Sequence, residues 1–399
     1  MKNKKVCIIG LGYIGLPTAS YLANRGYDVY GVDVNASVVE TINKGEIHIV
    51  EPELDAFVKS AVFSGRLKAG TVPKTADIFI IAVPTPFQGE YIPDISYVIS
   101  ATESIAPFAK EGDLIILEST SPVGTTEKVR DTITAIRPEL KGKLFFSHAP
   151  ERVLPGRIIQ ELSENDRIVG GVDNASTMLT KIFYETFVNG KVLATDAKTA
   201  EMSKLVENSY RDVNIAFANE LSMICDTMGI DVRELIRLAN HHPRVNILSP
   251  GTGVGGHCIA VDPYFIIHSD PVNSRIIRTA REINRHKTEW VVEKIRQGIV
   301  NFRTEHKREP SVALLGLAFK PDIDDLRESP ALQVAMAIAG NSGVGVMAVE
   351  PNIRTHALLP ITELGDALKT ADIIAILVAH RQFKGLKTDR IVLDFAGIE

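Results

Sequence analysis

The chain has few cysteines, no long apolar run and no excess of basic residues. Its three cysteines, Cys7, Cys225 and Cys258, are odd in number and far apart. We therefore expect no disulfide framework and predict a reducing, cytoplasmic location. No stretch approaches the roughly 20 apolar residues that a membrane-spanning helix needs. A formal net charge of −5 does not indicate binding to nucleic acid or to an anionic membrane.

The sequence also lacks a metal-binding pattern. His257 and Cys258 are adjacent, but no second pair of ligands follows at the spacing of a zinc site. His241 and His242 are neighbours before Pro243, and we interpret them as loop residues. We therefore predict no metal. The 399 residues, with 45% hydrophobic and 23% charged side chains, have the composition of a globular protein with two or three domains.

The N-terminal segment VCIIGLGYIGLPTASYLANRG predicts a strand, a tight turn and a helix. Three glycines have the G-x-G-x-x-G spacing: Gly10, Gly12 and Gly15. Glycine at these places allows the turn, the approach of a pyrophosphate and close packing of the helix on the strand. Tyr13 and Ile14 lie within the turn and are predicted to contact the same dinucleotide. The alternative is that these glycines serve a turn in another kind of α/β protein.

The next predicted strand, DVYGVDV, ends at Asp33. A carboxylate at this place accepts hydrogen bonds from a ribose 2′-hydroxyl and repels a 2′-phosphate. We therefore predict NAD as the cofactor, rather than NADP.

Two further apolar runs, ADIFIIAVPTP (76–86) and GDLIILESTSPVGTT (112–126), predict buried parallel strands. Ligands bind beyond the carboxyl ends of such strands. Thr85, Ser119 and Thr120 fall there and are candidates for contact with cofactor or substrate. The alternative is that these hydroxyls hydrogen-bond to loop backbone.

The middle of the chain is predicted to be helical. One helix is expected from Thr199 to a C-cap at Gly229, about 30 residues or roughly 45 Å long. Lys204 and Asn208 are four residues apart and share one face of it. A second helical stretch covers 274–302. A long helix between two α/β domains is a common dimerisation element, and we predict a homodimer.

After a polar link at 303–310, SVALLGLAFKPDIDDLRESPA opens a second α/β unit, with further strands in VMAVEPN and ADIIAILVAH. The predicted fold is therefore α/β, with two doubly wound Rossmann-like domains joined by a central helical region that contains a long helix. We divide the chain into three parts: residues 1–195, 196–300 and 310–399.

The first loop of the second unit carries Lys320 and Arg327 where a complete glycine pattern is missing. A positive pair at a strand end suits the phosphates of a nucleotide other than the cofactor. The alternative is a solvated pair balanced by the acidic neighbours Asp322, Asp324, Asp325 and Glu328.

Cys258 follows Gly255, Gly256 and His257 in a glycine-rich loop. Such a loop favours an open backbone whose N–H groups are available to an anion, and a polar setting lowers the pKa of a thiol. Cys258 is therefore a candidate nucleophile, with a plain loop cysteine as the alternative. Together with NAD, a thiol can carry an aldehyde through a thiohemiacetal to a thioester, which water converts to a carboxylate. Aldehyde dehydrogenases use the same chemistry.

Six ordered segments along the whole chain resemble the UDP-glucose/GDP-mannose dehydrogenase family. They are GLGYIGLPTA, ESTSPVGTTEKV, PERVLPG, AEMSKLVENSYRDVNIAFANEL, PRVNILSPGTGVGGHCIAVDP and LGLAFKPDIDDLRESPA. The resemblance implies an N-terminal NAD domain, a dimerising helical middle and a C-terminal domain that binds UDP. It also implies a twofold, NAD-dependent oxidation of a sugar C6 alcohol to a uronate.

The resemblance assigns roles to individual residues. Cys258 would be the nucleophile, Lys204 and Asn208 would stabilise the oxyanion, Asp262 would join the acid–base network, Glu151 would act in the aldehyde step and in hydrolysis, and Thr120 would position water. Substrate contacts are implied for nine residues: Glu151, Arg152, Lys204, Asn208, Arg211, Arg244, Gly255, Lys320 and Arg327. Arg244 is expected to reach the substrate of the partner subunit.

The loop GGHCIAVDP has His257 and Val261 where UDP-glucose dehydrogenases usually have Ser and Lys. It resembles the bacterial UDP-N-acetylhexosamine dehydrogenases, and the whole set of segments favours N-acetyl-D-mannosamine over its C2 epimer N-acetyl-D-glucosamine. Thr252 lies where relatives commonly have proline, and it is expected to loosen the loop without affecting the chemistry. Two other classes stay open as alternatives: a two-electron β-hydroxyacid dehydrogenase and a non-enzymatic NAD-binding protein.

Overall fold

The computed structural model describes residues 4–89, 91–154, 156–256, 258–341 and 343–398. It divides into two compact units, residues 1–206 and 207–399.

The first unit contains an eight-stranded sheet in the order β10-β9-β8-β7-β4-β1-β2-β3. Neighbouring strands are parallel except β8 and β9, which pair antiparallel. A separate antiparallel pair is formed by β5 and β6. The ten strands are β1 (Lys5–Ile9), β2 (Asp28–Val32), β3 (Leu67–Gly70), β4 (Ile78–Ile81), β5 (Phe87–Gln88), β6 (Ile92–Pro93), β7 (Leu114–Leu117), β8 (Phe145–His148), β9 (Arg167–Gly171) and β10 (Val192–Asp196).

Helices connect these strands and cover both faces of the sheet. They are α1 (Gly15–Asn24), α2 (Ala36–Asn43), α3 (Leu54–Phe63), α4 (Ser96–Ile105), α5 (Thr125–Ile136), α6 (Ile158–Glu164), α7 (Asn174–Tyr184) and α8 (Ala197–Met228). Because side chains alternate along a strand, Val6 and Ile8 enter one hydrophobic core, while Cys7 and Ile9 enter the other. Burial on both faces explains the continuous apolar runs of β4 and β7.

Helix α8 is the long helix that the sequence predicts, and the boundary between the two units falls within it. It ends one residue before Gly229, as expected. The Ile230 N–H donates to the Cys225 carbonyl (2.9 Å) and the Gly229 N–H to the Asp226 carbonyl (3.4 Å). This pair of bonds is the Schellman arrangement that closes a helix at glycine.

The second unit contains a four-stranded parallel sheet in the order β12-β11-β13-β14. Its elements after α8 are α9 (Val232–Ala239), α10 (Asp262–Ser269), α11 (Arg275–His306), β11 (Ser311–Leu315), α12 (Pro330–Asn341), β12 (Gly345–Val349), α13 (Leu364–Thr370), β13 (Ile373–Ile376) and β14 (Ile391–Asp394). Helix α11 continues to His306, so the predicted link at 303–310 is wrong over its first four residues. These residues are polar because the last turn is mostly exposed.

The predicted α/β fold class, with two doubly wound sheets and a helical region between them in sequence, is confirmed. Among the described residues, none of the helices combines the length and the apolar character that crossing a membrane requires.

Candidate active site

The glycine turn of the first unit has the geometry of a dinucleotide site. Gly10 has φ +93°, and a Cβ there would lie 2.6 Å from the carbonyl oxygen of Ala82, the residue after β4. A Cβ on Gly15 would overlap the Gly10 carbonyl oxygen, so this glycine lets α1 approach β1. At Gly12, by contrast, a Cβ would meet nothing within 4 Å. The open side of the turn is therefore at Gly12, where the backbone is accessible to a pyrophosphate.

Asp33 lies beside this turn at the carboxyl end of β2. Its Oδ2 accepts the Leu11 N–H (3.0 Å) and its Oδ1 accepts the Asn35 N–H (2.9 Å). No side chain caps the N-terminus of α1 at Ile14, and Tyr13 is exposed beside it. Uncapped N–H groups attract phosphate oxygens. The residues present thus fit NAD, with Asp33 placed for the ribose and the α1 N-terminus for the phosphates.

The hydroxyls after β4 and β7 tie two loops together. Thr85 Oγ1 donates to the Thr120 carbonyl (2.6 Å), and Ser119 Oγ donates to the Val83 carbonyl (2.7 Å). The protons of these two hydroxyls therefore bond to loop backbone, which is the alternative to ligand contact given above. Their bonds place Thr85 and Thr120 at the same edge of the sheet, and the Thr85 oxygen can still accept a hydrogen bond.

Glu151 is buried and held on both carboxylate oxygens. Its Oε2 accepts from Arg167 Nη1 (2.6 Å), and both side chains of this ion pair are almost fully buried. Its Oε1 accepts the backbone N–H groups of Arg152 (2.6 Å) and Val153 (3.1 Å). The Arg152 side chain donates to the Asp166 carbonyl (3.1 Å). Glu151 is therefore a fixed carboxylate, and Arg167 is the partner that sequence analysis missed.

Behind Glu151 lies a second buried carboxyl that sequence analysis also missed. Tyr184 donates to Glu118 Oε1 (2.6 Å), and the Arg167 guanidinium lies 5.2 Å from the centre of the Tyr184 ring. Burial raises the pKa of Glu118 to about 7; Arg167 opposes this shift, and the nearby negative charge of Glu151 adds to it. A charged residue directly after the apolar strand β7 was the available signal.

Helix α8 is anchored to the loop after β7 by Glu201. This buried carboxylate accepts from the N–H groups of Gly124 (2.6 Å) and Thr126 (2.7 Å) at the N-terminus of α5, and from Thr126 Oγ1 (2.6 Å). Burial raises its pKa despite these bonds. The predicted catalytic Lys204 lies three residues further along α8 and is half-buried. The anchor fixes the start of the helix that carries it.

Cys258, in the second unit, is exposed. Cys7, in the first unit, and Cys225, in the second, are buried, as predicted. Burial raises the pKa of Cys7 to about 11, against one backbone hydrogen bond, so that thiol is inert. Cys258 lies one turn before α10, and its carbonyl accepts the N–H groups of Val261 (3.0 Å) and Asp262 (2.9 Å). The positive end of a helix stabilises a nearby thiolate. His257 lies outside the described residues.

Asn208 and Asp262 are brought together beside this turn. Asn208 Nδ2 donates to Asp262 Oδ2 (2.6 Å), and both side chains are buried. The structure thus joins three predicted catalytic residues of this unit, since Asp262 also bonds through its backbone to Cys258.

The glycine loop before Cys258 is packed rather than open. The Gly256 N–H donates to the Arg327 carbonyl (3.1 Å), a Cβ on Gly255 would overlap the Glu328 carbonyl oxygen, and one on Gly253 would lie 2.5 Å from Thr288 Oγ1. The expectation of an available N–H group is therefore wrong for Gly256. Glycine is needed here because a neighbouring loop occupies the space.

Lys320 and Arg327, the predicted positive pair, differ in their contacts. Arg327 forms a bidentate ion pair with Asp325, with Nη2–Oδ2 at 2.6 Å, so a neighbouring carboxylate balances its charge. Lys320 is exposed and forms no salt bridge within the described ranges; its Nζ lies 5.7 Å from the centre of the Phe319 ring. Arg211 and Arg244 are exposed as well. In the parts of the chain that the structure describes, no group of three or more His, Cys, Asp or Glu residues is arranged to hold a metal ion.

The glycine turn and Asp33 of the first unit are typical of an NAD-dependent dehydrogenase. The second unit carries an exposed cysteine one turn before a helix. Residues 4–188 match the NAD binding domain of the UDP-glucose/GDP-mannose dehydrogenase family, residues 198–286 its central domain and residues 313–397 its UDP binding domain. The chain belongs to this family, and NAD is its cofactor.

Individual relatives are similar over almost the whole chain. A UDP-N-acetyl-D-mannosamine dehydrogenase of Escherichia coli (strain K12) is 50% identical, with 100% of both chains covered. An NDP-N-acetyl-D-galactosaminuronic acid dehydrogenase of Ralstonia nicotianae is 51% identical, with 99% of this chain and 96% of the relative covered. The solved structure of a UDP-D-ManNAc dehydrogenase from Pyrococcus horikoshii is 39% identical, has a TM-score of 0.88 and covers 99% and 96% of the two chains.

Proposed function

We propose that the protein oxidises the C6 alcohol of UDP-N-acetyl-D-mannosamine to the carboxylate of UDP-N-acetyl-D-mannosaminuronate. The observation that carries the proposal is the placement of Cys258, an exposed thiol at the N-terminus of α10 beside the bonded pair Asn208 and Asp262. The relatives of known substrate support the sugar. The product would serve the synthesis of a cell-envelope polysaccharide.

In this mechanism Cys258 carries the covalent steps. Its thiolate adds to the C6 aldehyde to give a thiohemiacetal, whose oxidation gives a thioester; water then displaces the thiol and leaves the carboxylate. NAD, when bound, accepts one hydride in each of the two oxidations. Cys258 lies one turn before the N-terminus of α10, and the partial positive charge of a helix N-terminus attracts an anion.

Other residues hold charge and water in this scheme. We assign Lys204 and Asn208 to the developing oxyanion, because a cation and an amide N–H both stabilise it. Asp262 orients Asn208 through their 2.6 Å bond. Glu151 and Thr120 are assigned to the hydrolytic water, with Glu151 held in place by Arg167.

Substrate contacts are assigned as predicted from the sequence. Lys320 and Arg327 would bind the diphosphate, and Arg152, Arg211 and Gly255 the remainder of the nucleotide sugar. The three-part division at residues 1–195, 196–300 and 310–399 is part of this proposal.

A homodimer is part of the same proposal. Helix α8 exposes apolar side chains along one face, at positions four or seven residues apart: Val206, Tyr210, Phe217, Ile224 and Met228. A second copy of the helix would cover them, and Arg244 would then reach the partner's substrate. Light scattering after size-exclusion chromatography should give the mass of two chains. A Phe217→Asp variant should give the mass of one, and a dimeric Phe217→Asp protein would contradict this interface.

The galactosaminuronic acid relative supplies a second candidate substrate, since it is 51% identical to this chain and the cited mannosamine relative is 50% identical. The N-acetylglucosamine epimer is the alternative that the sequence raised. The UDP binding domain argues against a β-hydroxyacid substrate. A cysteine nucleophile is compatible with the reducing cytoplasm that we predict.

The test is the amount of NADH formed per sugar consumed. Four sugars are supplied in separate reactions: UDP-N-acetylmannosamine, UDP-N-acetylgalactosamine, UDP-N-acetylglucosamine and UDP-glucose. Oxidation of an alcohol to a carboxylate removes four electrons, so we expect two NADH per UDP-N-acetylmannosamine. Preference for another sugar would contradict the proposed substrate but not the proposed two-step oxidation. One NADH with free aldehyde, or two NADH from a Cys258→Ala variant, would contradict the thioester route.

A further inference from the structure

Thr252, six residues before Cys258, is bonded to the structure around it. Its side chain is 5% exposed, its Oγ1 donates to the Leu377 carbonyl (2.6 Å), and its own carbonyl accepts from Thr288 Oγ1 (3.2 Å). The preceding Gly251 N–H donates to Asn219 Oδ1 (2.9 Å). The expectation that Thr252 loosens the loop is therefore wrong, because its buried hydroxyl bonds the loop to the Leu377 carbonyl.

The bond from Thr252 reaches the carboxyl edge of the second sheet. Leu377 follows β13, and its N–H donates to the carbonyl of Leu315, the last residue of β11 (2.8 Å). The strand order of this sheet reverses at β11, with β12 on one side and β13 on the other. Ligands of doubly wound sheets bind at such a reversal. The loop that starts here, residues 316–330, carries Lys320 and Arg327.

The same loop contacts the glycines before Cys258. The Gly256 N–H donates to the Arg327 carbonyl, and the space beside Gly255 is filled by the Glu328 carbonyl. A Cβ on Gly253 would lie 3.0 Å from Pro330 Cβ. Because backbone meets backbone here, a shift of loop 316–330 is passed to the cysteine loop without a flexible side chain between them.

We propose that Thr252 is a positioning residue that ties the Cys258 loop to the diphosphate-binding edge, so that UDP binding at loop 316–330 controls the position of the Cys258 thiol. This proposal rests on the proposed function, in which Lys320 and Arg327 bind the diphosphate. Asn219 and Thr288 hold the other side of the loop. Loss of the Thr252 hydroxyl therefore removes one attachment, while these two and the bond from Gly256 to Arg327 remain.

The experiment compares wild type, Thr252→Val, which keeps the shape and removes the hydroxyl, and Thr252→Ser, which keeps the hydroxyl. The rate of Cys258 alkylation by iodoacetamide is followed by mass spectrometry with and without saturating UDP. We expect UDP to slow alkylation at least threefold in wild type and Thr252→Ser. In Thr252→Val, alkylation without UDP should be at least threefold faster, and the protection by UDP should fall to less than half of the wild-type ratio.

Steady-state kinetics separate positioning from general damage. In Thr252→Val we expect kcat about tenfold lower, equal to about 1.4 kcal/mol, with KM for NAD unchanged, and recovery to within twofold in Thr252→Ser. Thr304→Val is the matched control, because it removes an exposed threonine hydroxyl that donates to the Val300 carbonyl within α11. Its alkylation and kcat should equal those of wild type.

Equal alkylation rates and equal protection in Thr252→Val and wild type would overturn the proposal, as would an absence of UDP protection in a wild-type protein that binds UDP. If calorimetry shows that wild type does not bind UDP, the proposed function fails instead. The alkylation rates without UDP would still test the attachment of the loop by Thr252.

Discussion

The two sheets begin with the same turn and then differ. Gly10 after β1 and Gly316 after β11 have almost equal backbone angles, φ +93° and +94°. In both, a Cβ would collide with a residue just after the neighbouring strand, at 2.6 Å from the Ala82 carbonyl oxygen and 2.5 Å from Val378 Cβ. Two residues later, Gly12 faces open space, whereas the equivalent Ala318 is fully buried. The second turn therefore keeps the chain direction and loses the open backbone that a pyrophosphate needs.

The carboxylates at the ends of the second strands differ in the same way. Asp33 is half-buried and accepts two backbone N–H groups. Glu350 is 3% exposed and accepts from Leu317 N (2.7 Å), Ala318 N (3.0 Å) and the His380 ring. In the first unit the carboxylate of Asp33 remains accessible to a ribose. In the second unit the carboxylate of Glu350 is buried and hydrogen-bonded to the protein itself. Shared topology thus fixes where a ligand binds and leaves the kind of ligand to a few side chains.

The largest expected effect comes from adding a Cβ to either turn glycine. Gly10→Ala and Gly316→Ala should each destabilise their own unit by on the order of 3 kcal/mol, because a left-handed backbone and a collision act together. Gly10→Ala should lose NAD binding and keep UDP binding, with the reverse for Gly316→Ala. Calorimetric titration and thermal unfolding test this. Loss of both ligands in one variant would show that the units are not separate in stability.

The buried carboxyls of the two units should respond to acid with opposite sign. Burial raises the pKa of Glu118, so wild type is favoured over Glu118→Gln at low pH and loses this advantage as pH rises from about 4.5 to about 7. For Glu350, burial alone would raise the pKa, but hydrogen bonds from His380 and backbone N–H groups outweigh it and hold the pKa below its usual value. Its contribution is present above about pH 4.5 and is lost as pH falls through the lowered pKa.

Urea unfolding at pH 2.5 to 8 measures this difference for Glu118→Gln and Glu350→Gln, because the loss at Glu350 falls below about pH 4.5. We expect changes on the order of 1–3 kcal/mol. The same direction of pH dependence in both variants would contradict the comparison.

Substitution at the second glycine should affect binding more than stability. Gly12→Ala should change the free energy of unfolding by less than about 1 kcal/mol, since its Cβ meets nothing. It should still weaken NAD binding about tenfold by blocking the phosphate. Ala318→Gly is the counterpart, and we expect it to leave one NAD per chain. Two NAD per chain would mean that the closed turn alone excludes the second dinucleotide.

The smallest effects concern the cations that replace the open turn. Lys320→Met should weaken UDP binding about fivefold, because Lys320 is exposed and forms no salt bridge among the described residues. Asp325→Asn should strengthen it two- to threefold by releasing Arg327 from its ion pair. Titration calorimetry at two salt concentrations checks both, and weaker binding in Asp325→Asn would show that the ion pair orients Arg327 for the phosphate.

Local patterns were sufficient for much of the fold and part of the site. Apolar runs predicted β1, β4, β7 and β11, and the Gly229 cap predicted the end of α8, because strand burial and helix ends depend on adjacent residues. The glycine spacing and Asp33 predicted the cofactor for the same reason. The end of α11 was missed because a polar last turn on the surface has the composition of a loop.

Residue patterns along the chain were enough to predict the two α/β units, the NAD turn and the exposure of Cys258 among three cysteines, since each depends on residues close together in the chain. Which polar groups are hydrogen-bonded inside the protein and which are accessible depends on contacts between segments far apart in the sequence. Tyr184 bonds to Glu118 across 66 residues and Thr252 to Leu377 across 125. A buried polar group needs a partner, and the partner is chosen by the packing of distant segments rather than by any pattern around the group.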